Sequence, residues 1–318
     1  MKTHAEHSVW LLLLCLLLAG RVMVYPQNGF YPSHYIDIEA GGGVGGLGYE
    51  LDGGRTFVAP SFSFGAGYSW FFLPMAGLQT GVRVTRIAST AMLTEPMEWR
   101  TGADDGRLRD YMGEEYTHRA SFNNWREREQ MWLLQVPVGL RFRHFIGNDA
   151  RYGLHASVGA LLSVPLRANY TLLSGEVTHT GWYEQWRLLL HDLPGRFETE
   201  SYARQEASFG SRLRPLGFSA YAEAGLLIRL TERAQLVVAA YVQWMPMDFA
   251  SMKSGKHIPI GFATERNNYT FMSEYQGLVG TDKTSAVRPW SAGVKVALSL
   301  WPGKTAAQRK RCMCEMMN

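Results

Sequence analysis

The last apolar segment of the chain alternates between apolar and polar positions. From Trp290 to Leu300 the even positions hold Trp, Ala, Val, Val, Leu and Leu, and the odd positions hold Ser, Gly, Lys, Ala and Ser. A period of two is typical of a β-strand, whose successive side chains point to opposite faces. Because the polar face carries Lys295, we expect the apolar face to meet lipid and the polar face to line an enclosed interior.

Seven earlier segments show the same alternation, so the sequence predicts eight strands. They begin near Tyr35, Val58, Leu78, Trp132, Tyr152, Phe218, Leu236 and Trp290. Tight turns are expected at 74–77, 147–149 and 231–233, and long polar connections at 94–128, 172–215 and 248–286. Successive antiparallel strands end on opposite sides, which places the tight turns on one side and the long loops on the other. We therefore predict an all-β protein, an eight-stranded antiparallel up-and-down transmembrane β-barrel over residues 34–301, with long extracellular loops and short periplasmic turns.

A soluble sandwich or ligand-binding barrel would also alternate, but its apolar residues would point inward. Charged residues on the predicted inner face disfavour that alternative, because they can pair within a narrow lumen: Asp37, Glu39, Arg83, Arg141, Arg143, Arg167, Glu223, Arg229 and Lys295. Aromatic residues near the strand ends predict an interfacial girdle made of Tyr68, Trp70, Trp132, Trp244, Trp290 and Trp301. The last strand must pair with the first and the seventh, so we expect Lys295 to pair with Asp37 or Glu39.

Composition narrows the class of protein further. The 318 residues carry a formal charge of +4, and the body of the chain has no Lys/Arg cluster suited to phosphates along a strand, so a nucleic-acid partner is not expected. A short apolar run after Lys2 predicts a signal peptide over residues 1–24 and hence export. Beyond it only Cys312 and Cys314 remain, which excludes a disulfide framework. No cofactor is expected.

The region from Tyr35 to Trp301 resembles the OmpA-type outer-membrane barrel family. The resemblance rests on the apolar N-terminal run, the eight alternating strands and the final strand, where Ser291 and Gly293 precede spaced apolar residues that end near Trp301. It implies residence in a bacterial outer membrane, contact with its lipid and lipopolysaccharide, and insertion by the barrel assembly machinery. Many members carry a peptidoglycan-binding domain after the barrel, whereas residues 302–318 are expected to form only a short periplasmic tail.

Candidate chemistry lies in the loops and in the lumen. Small-barrel enzymes use His with Ser or Asp, and this chain offers His118, His179 and His191 in loops and His155 with Ser163 in the lumen, but none lies in a recognised motif. The two lumen residues would be about 27 Å apart along a strand. Residues 182–193 predict an amphipathic helix that presents Trp182 and Trp186 as a candidate contact surface. A divalent ion could bind the acidic loop residues Asp104, Asp105, Asp110, Glu114 and Glu115.

Together these patterns favour a non-enzymatic outer-membrane barrel that presents large loops for envelope structure, adhesion or binding of an extracellular ligand. A small-barrel enzyme acting on lipid A or peptides, a narrow pore and a subunit of a secretion complex remain alternatives. An eight-stranded barrel is just wide enough for side chains to fill, so a wide aqueous channel is not expected.

Overall fold

The computed structural model describes residues 33–101, 108–110, 112–147, 151–193, 197–250, 260–264, 271–281 and 283–303. The predicted signal peptide, the cysteines of the tail and the acidic residues Asp104 and Asp105 lie outside these ranges. Within them, no helix has both the length and the apolar character needed to cross a membrane.

The described residues form fifteen β-strands and two short 3-10 turns. In chain order the strands are β1 (His34–Gly46), β2 (Gly54–Phe71), β3 (Ala76–Leu93), β4 (Met97–Thr101), β5 (Leu108–Arg109), β6 (Glu115–Ile146), β7 (Tyr152–Tyr183), β8 (Leu188–Leu190), β9 (Thr199–Tyr202), β10 (Gln205–Ser208), β11 (Gly217–Arg229), β12 (Ala234–Trp244), β13 (Ile260–Thr264), β14 (Phe271–Tyr275) and β15 (Trp290–Leu300). The 3-10 turns span Glu184–Trp186 and Gly210–Arg212.

Eight of these strands close into an antiparallel ring, as predicted. Its order is β1, β2, β3, β6, β7, β11, β12 and β15, and β15 pairs with β1 to complete the circle. The closing strand has the bounds expected from the sequence. Lys295 lies opposite Gly41 on one side and Ala239 on the other, so the last strand pairs with the first and with the seventh of the ring.

We call the end of the ring near residues 72–75 and 230–233 the lower end. In the lower part of the ring, the outer face of the strands is apolar. On β6 the outer residues run from Phe142 through Leu140 and Val138 up to Trp132, while Gln135, Arg141 and Arg143 are buried inside. Ten residues of strand cover about 33 Å, which at a tilt near 40° makes an apolar band roughly 25 Å high. That height matches the lipid-facing band of a transmembrane barrel.

Above Trp132 the polarity of the two faces is reversed on the two long strands β6 and β7. Met131 and Trp125 of β6 are buried inside, together with Tyr170 and Leu172 of β7, whereas the outward positions of β6 hold exposed arginines. An apolar interior with a polar exterior is the pattern of a protein surrounded by water. The buried side chains form one large core that fills the upper end of the ring.

All three predicted long loops are wrong in part. The connection 248–286 contains the paired strands β13 and β14, and the other two contain strands because β6 and β7 continue far above the apolar band. Both strands have 32 residues. The predicted loop 94–128 contains β4, β5 and the first part of β6, and the predicted connection 172–215 contains the end of β7 together with β8, β9 and β10. Many polar residues in these segments suggested loops. They instead form the outer face of paired strands whose alternate residues are buried.

The helix predicted for residues 182–193 is also wrong. Trp182 and Tyr183 end β7, Glu184–Trp186 form a single 3-10 turn, and Leu188–Leu190 form β8, which pairs back onto β7. Arg187 adopts a left-handed conformation with φ of 48°, which ends the turn. Backbone pairing with β6 and β8 overrides the helical spacing of the apolar residues in this segment.

Candidate functional site

Lys295 connects two acidic residues at the centre of the lumen. Its Nζ donates to Oε2 of Glu39 at 3.0 Å and to Oε2 of Glu223. Arg83 closes the same cluster, since its Nε donates to Glu39 Oε1 at 2.6 Å and its Nη2 to Glu223 Oε1 at 3.2 Å. The cluster thus pairs two cations with two carboxylates from four different strands. The pairing expected for Lys295 is present, with Glu39.

A second ion pair lies lower in the lumen. Arg141 Nη1 donates to Asp37 Oδ2 at 2.6 Å, and Asp37 also accepts from the hydroxyl groups of Ser69 and Ser299. Both charged side chains are buried. A buried charge is tolerated when a partner and hydrogen bonds replace its water, so small hydroxyl residues on the inner face complete this pair.

Two further arginines contact aromatic rings at the lower end. Arg143 lies 3.7 Å above the ring of Phe71, and its Nε donates to the carbonyl oxygen of Pro74 at 2.9 Å. Arg229 lies 4.8 Å from the ring of Phe145. Tyr35, Phe71 and Trp301 form a buried aromatic cluster in the same region.

Little space remains between these groups. A cavity of about 20 Å³ lies among residues that include Glu39, Arg141, His155 and Lys295, and this is room for roughly one or two waters. His155 Nε2 lies 3.9 Å from Glu223 Oε2, whereas Ser163 accepts from Gln135 Nε2 at 3.1 Å. Each residue of the candidate hydrolytic pair therefore has its own neighbour, and the structure does not bring the pair together.

Arg167 is an exception among the predicted lumen residues, because it is exposed on the outer wall. The register explains the difference. Leu133 pairs with Pro165 but Trp132 pairs with Arg167, so Leu166 is an extra residue in β7. A bulge of one residue shifts the alternation by one position, which turns Arg167 outward beside Trp132.

The predicted girdle also needs one correction. Tyr68, Trp70 and Trp244 are exposed on the outer wall, and Trp132 and Trp290 are partly exposed there. Trp301, in contrast, is buried in the lower aromatic cluster. It occupies an odd position, as Lys295 and Ser299 do, and therefore continues the inner face of the closing strand.

The upper core encloses two glutamates that the sequence analysis did not single out. Glu127 and Glu129 are fully buried two residues apart on β6. Glu129 accepts from the hydroxyls of Tyr49 and Ser89, and Glu127 accepts from the backbone N–H of Leu278 at 3.2 Å. Burial, with the adjacent charge of Glu127, raises the pKa of Glu129 to about 8. Both glutamates occupy odd positions, as Trp125 and Met131 do. Extending the strand alternation upward would therefore have predicted from the sequence that they point inward.

His118 and His179 meet higher up on β6 and β7. Their rings stack, Nδ1 of His179 lies 3.2 Å from Nε2 of His118, and Phe197 stacks on His118. Burial, with the adjacent His179, lowers the pKa of His118 to about 3. Both rings can be neutral in this contact, because the N–H of one ring can donate to the unprotonated nitrogen of the other. His191 lies apart from them, exposed and 2.7 Å from Asp192.

The free end of the β6–β7 extension carries exposed apolar side chains. We call this surface the tip and define it by Met112, Trp186, Leu188, Leu189 and Leu193, all of them exposed. Gln185 joins the two sides of the tip by donating to the carbonyl oxygen of Glu115 at 3.0 Å. Trp186 therefore belongs to an exposed apolar surface, while the ring of Trp182 lies below it, 5.0 Å from the guanidinium of Arg119.

The acidic residues near the tip form local contacts. Asp110 Oδ1 accepts from the backbone N–H groups of Met112 and Glu114, and Glu115 Oε1 accepts from Arg109 at 3.0 Å. In the part of the chain that the structure describes, no group of three or more His, Cys, Asp or Glu side chains is placed to hold a metal ion.

A scan against protein-family models matches no family, and a search of the curated proteins finds no relative. Among solved structures, the chain is similar to the outer membrane protein OprG from Pseudomonas aeruginosa, with 11% identity, coverage of 86% of this chain and 98% of that one, and a TM-score of 0.36. It is also similar to Ail, the attachment invasion locus protein of Yersinia pestis, crystallised with the heparin analogue sucrose octasulfate, with 12% identity, coverage of 83% and 99%, and a TM-score of 0.26. At these values the likeness carries no functional argument, and the closed ring stands on the strand pairing alone.

Proposed function

We propose that this chain is a non-enzymatic barrel of a bacterial outer membrane that holds a contact surface above the outer leaflet. The observation that carries the proposal is the reversal of the apolar face along β6 and β7. Below Trp132 the outward positions of these strands are mainly apolar, whereas above it their outward positions are mainly polar and the large apolar side chains point inward. One continuous strand suits both patterns when its lower part lies in lipid and its upper part in water.

The connections support one direction of insertion. Residues 72–75, 147–151 and 230–233 link neighbouring strands of the ring at the lower end, whereas β4, β5, β8, β9 and β10 all belong to the upper end. In outer-membrane barrels the short turns face the periplasm and the long connections face outward. We therefore assign the extension to the cell exterior. The proposed partners are the barrel assembly machinery, membrane lipid and lipopolysaccharide. Membership of the OmpA-type family is also a proposal.

The tip is the proposed contact surface. From Gln130 to Glu115, β6 extends about 50 Å along the strand, which at the tilt of the barrel raises the tip by 35 to 40 Å or so. Trp186 is 53% exposed and Met112 is 70% exposed. Exposed apolar side chains grouped together commonly mark interaction sites, and this group is held where a second surface could reach it.

Membrane insertion is tested by heat-modifiable mobility. The protein, extracted from membranes in mild detergent, should migrate faster before boiling than after it, because a closed barrel stays folded in detergent. The protein should also insert into phosphatidylcholine vesicles. Solubility without detergent, with no insertion, would reject the barrel's place in the membrane.

Contact by the tip is tested with bacteria that display the protein. Replacing Trp186 and Leu189 together by Ser should reduce attachment to an epithelial cell monolayer several-fold, since it removes apolar contact area. The matched control is Ser201→Ala, an exposed change on β9 of the same extension. Attachment that is equal for the double variant and the wild type, at equal surface expression, would refute the tip as the contact surface.

The absence of enzymatic activity is a separate part of the proposal. Lipid A from cells that express the wild type should have the same acyl pattern, by mass spectrometry, as lipid A from cells that lack the protein. A pattern that changes with the wild type and reverts when His118, His179 or His191 is replaced by Ala would show that the protein is an enzyme.

A further inference from the structure

We propose that five arginines on the outer wall form a binding site for the phosphate groups of a lipid A-type glycolipid. We call this set the arginine patch, and it consists of Arg55, Arg86, Arg126, Arg128 and Arg167. The inference rests on the proposed function, because it requires the apolar band below Trp132 to lie in the membrane.

Strand register brings the five side chains together. Arg86 of β3 lies opposite Trp132, which in turn lies opposite Arg167 of β7. Arg55 of β2 lies opposite Met92, which lies opposite Arg126 of β6, and Arg128 is two residues from Arg126. With strands about 4.8 Å apart and residues about 3.3 Å apart along each strand, the patch measures roughly 15 Å by 20 Å.

The positive charge of the patch is not neutralised by carboxylates. Arg55, Arg126, Arg128 and Arg167 are exposed, and Arg86 is half-buried. Among the residues that the structure describes, none of the five forms an ion pair with an acidic side chain. Two exposed acidic residues lie on this side of the extension: Glu206, which β10 places opposite Thr171, and Glu176 of β7, which lies opposite Asn123.

Neutral groups hold two of the arginines in place. Arg86 donates to Oε1 of Gln130 at 2.9 Å and 3.3 Å, and its guanidinium lies 5.0 Å from the ring of Phe62. The amide oxygen of Asn169, turned to face Arg167, accepts two hydrogen bonds from it at 2.8 Å and 2.9 Å. These contacts fix the guanidinium groups and leave their charge available to an anion.

The patch lies at the upper limit of the apolar band. Phe62, Val164 and Leu166 are exposed near its lower edge, where they can contact acyl chains. A lipid seated here would place its headgroup against arginines and its tails against apolar side chains. On another part of the wall, the rim carries the cross-strand pair Trp244 and Trp290 with the exposed Arg288 beside it, whereas the wall made by β2, β3, β6 and β7 carries all five arginines of the patch.

Phosphate is the anion that this arrangement favours. A guanidinium donates two parallel hydrogen bonds to a phosphate, and its charge does not depend on pH in the physiological range. One phosphate can use one or two arginines, whereas five arginines over this area suit a headgroup with more than one phosphate. A lipid A-type disaccharide, with phosphates at its two ends, provides such a headgroup.

The test compares lipids that differ only in phosphate. The full chain, purified in neutral detergent, is titrated with lipid A, with lipid A from which both phosphates have been removed, and with phosphatidylglycerol, and bound lipid is counted by native mass spectrometry. The test variant carries Arg86→Gln, Arg128→Gln and Arg167→Gln together. The control is Arg288→Gln, a change to an exposed arginine two residues before the start of β15 at Trp290.

We expect lipid A to bind at least tenfold more tightly than its dephosphorylated form and than phosphatidylglycerol. The triple variant should lose this preference, the control should keep it within about twofold, and added salt should weaken it because exposed charges are screened. Equal binding of the three lipids, or full retention of the preference by the triple variant, would overturn the inference. If the wild type is heat-modifiable and inserts into phosphatidylcholine vesicles but shows no phosphate preference, only this inference fails. If it does neither, the proposed function fails.

Discussion

Lys295 lies between the carboxylates of Glu39 and Glu223, and its side chain is buried inside the ring. We expect Lys295→Met to destabilise the folded barrel by about 3 to 5 kcal/mol, because it leaves two neighbouring carboxylates with less compensating charge. The free energy of unfolding is measured by urea titration in lipid vesicles, with loss of the fast-migrating gel band as the readout.

The control for this prediction is Lys283→Met. Lys283 lies 3.9 Å from an Asp52 side chain that is mostly exposed, and such surface pairs contribute about 1 kcal/mol or less. Combining Lys295→Met with Glu39→Gln should recover part of the loss, since it removes one of the stranded charges. Equal stabilities of the Lys295 and Lys283 variants would contradict the assignment of Lys295 to a buried network.

We expect His118 to make the stability of the extension depend on pH. Its pKa is lowered to about 3 by burial and by His179, so the folded state favours the neutral ring. The resulting stability is fully present above the unfolded pKa of about 6.5 and is lost as the pH falls towards 3. We expect hydrogen exchange in 115–122 and 176–183, corrected for intrinsic rates, to be faster at pH 5 than at pH 7.

His118→Phe should remove most of this difference, because a phenyl ring can still stack on Phe197 and does not titrate. His191→Gln, a change to an exposed histidine, should leave the difference intact. If the His118→Phe protein shows the same acceleration at pH 5 as the wild type, His118 is not the titrating group.

Individual residues also mark the limit of a period-two analysis. The inward positions of Asp37, Glu39, Arg83, Arg141, Glu223 and Lys295 follow directly from their parity within uninterrupted strands. Arg167 does not, because one extra residue in β7 reverses the parity beyond Pro165. Bulges depend on local backbone geometry and leave no fixed mark in the amino-acid pattern.

Among the elements, β6 and β7 are unusual because each continuous strand passes through two different environments. The sequence predicted strands only where the outer face is apolar, since polar residues in the upper halves suggested loops. The alternation nevertheless continues, with Met131, Glu129, Glu127 and Trp125 all buried on the inner face of β6. The pattern is hard to detect in the sequence because two of these inward positions hold glutamates rather than apolar residues.

Glu129 gives the upper core an opposite pH dependence from that of His118. Its folded pKa, about 8, is raised above its unfolded value near 4.3, so the corresponding stability is fully present below that unfolded value and is lost as the pH rises through about 8. The groups that face it are Glu127, Tyr49 and Ser89, and Tyr170 with Arg212 lies close by.

We expect Glu129→Gln to raise the thermal midpoint at pH 9 by a few degrees, equivalent to about 1 kcal/mol or more, with little effect at pH 5. Near-UV circular dichroism reports the upper core because Trp125 and Tyr170 are buried there. Glu206→Gln, an exposed change on β10, is the control. An equal shift at both pH values would show that Glu129 is not protonated in the folded state at neutral pH.

At the scale of the whole molecule, buried side chains of the described residues occupy the lower end, the middle and the upper end of the ring. The aromatic cluster of Tyr35, Phe71 and Trp301 occupies the lower end, the ion pairs occupy the middle, and the apolar core occupies the upper end. We expect planar bilayers containing the purified protein to show no steady large conductance. A stable open level at neutral pH would contradict a filled lumen and favour the narrow-pore alternative.

The alternation of residues along the chain was enough to predict the eight-stranded ring, the face that each regular strand turns inward, and the closing of β15 on β1. These features follow from local alternation, which needs no knowledge of distant contacts. Other features became visible only in the folded chain: the length of β6 and β7, the bulge that turns Arg167 outward, the tip in place of the predicted helix, and the arrangement of arginines from four strands on one wall. Such features depend on which strands pair and in what register, and that is set by contacts between residues far apart in the chain.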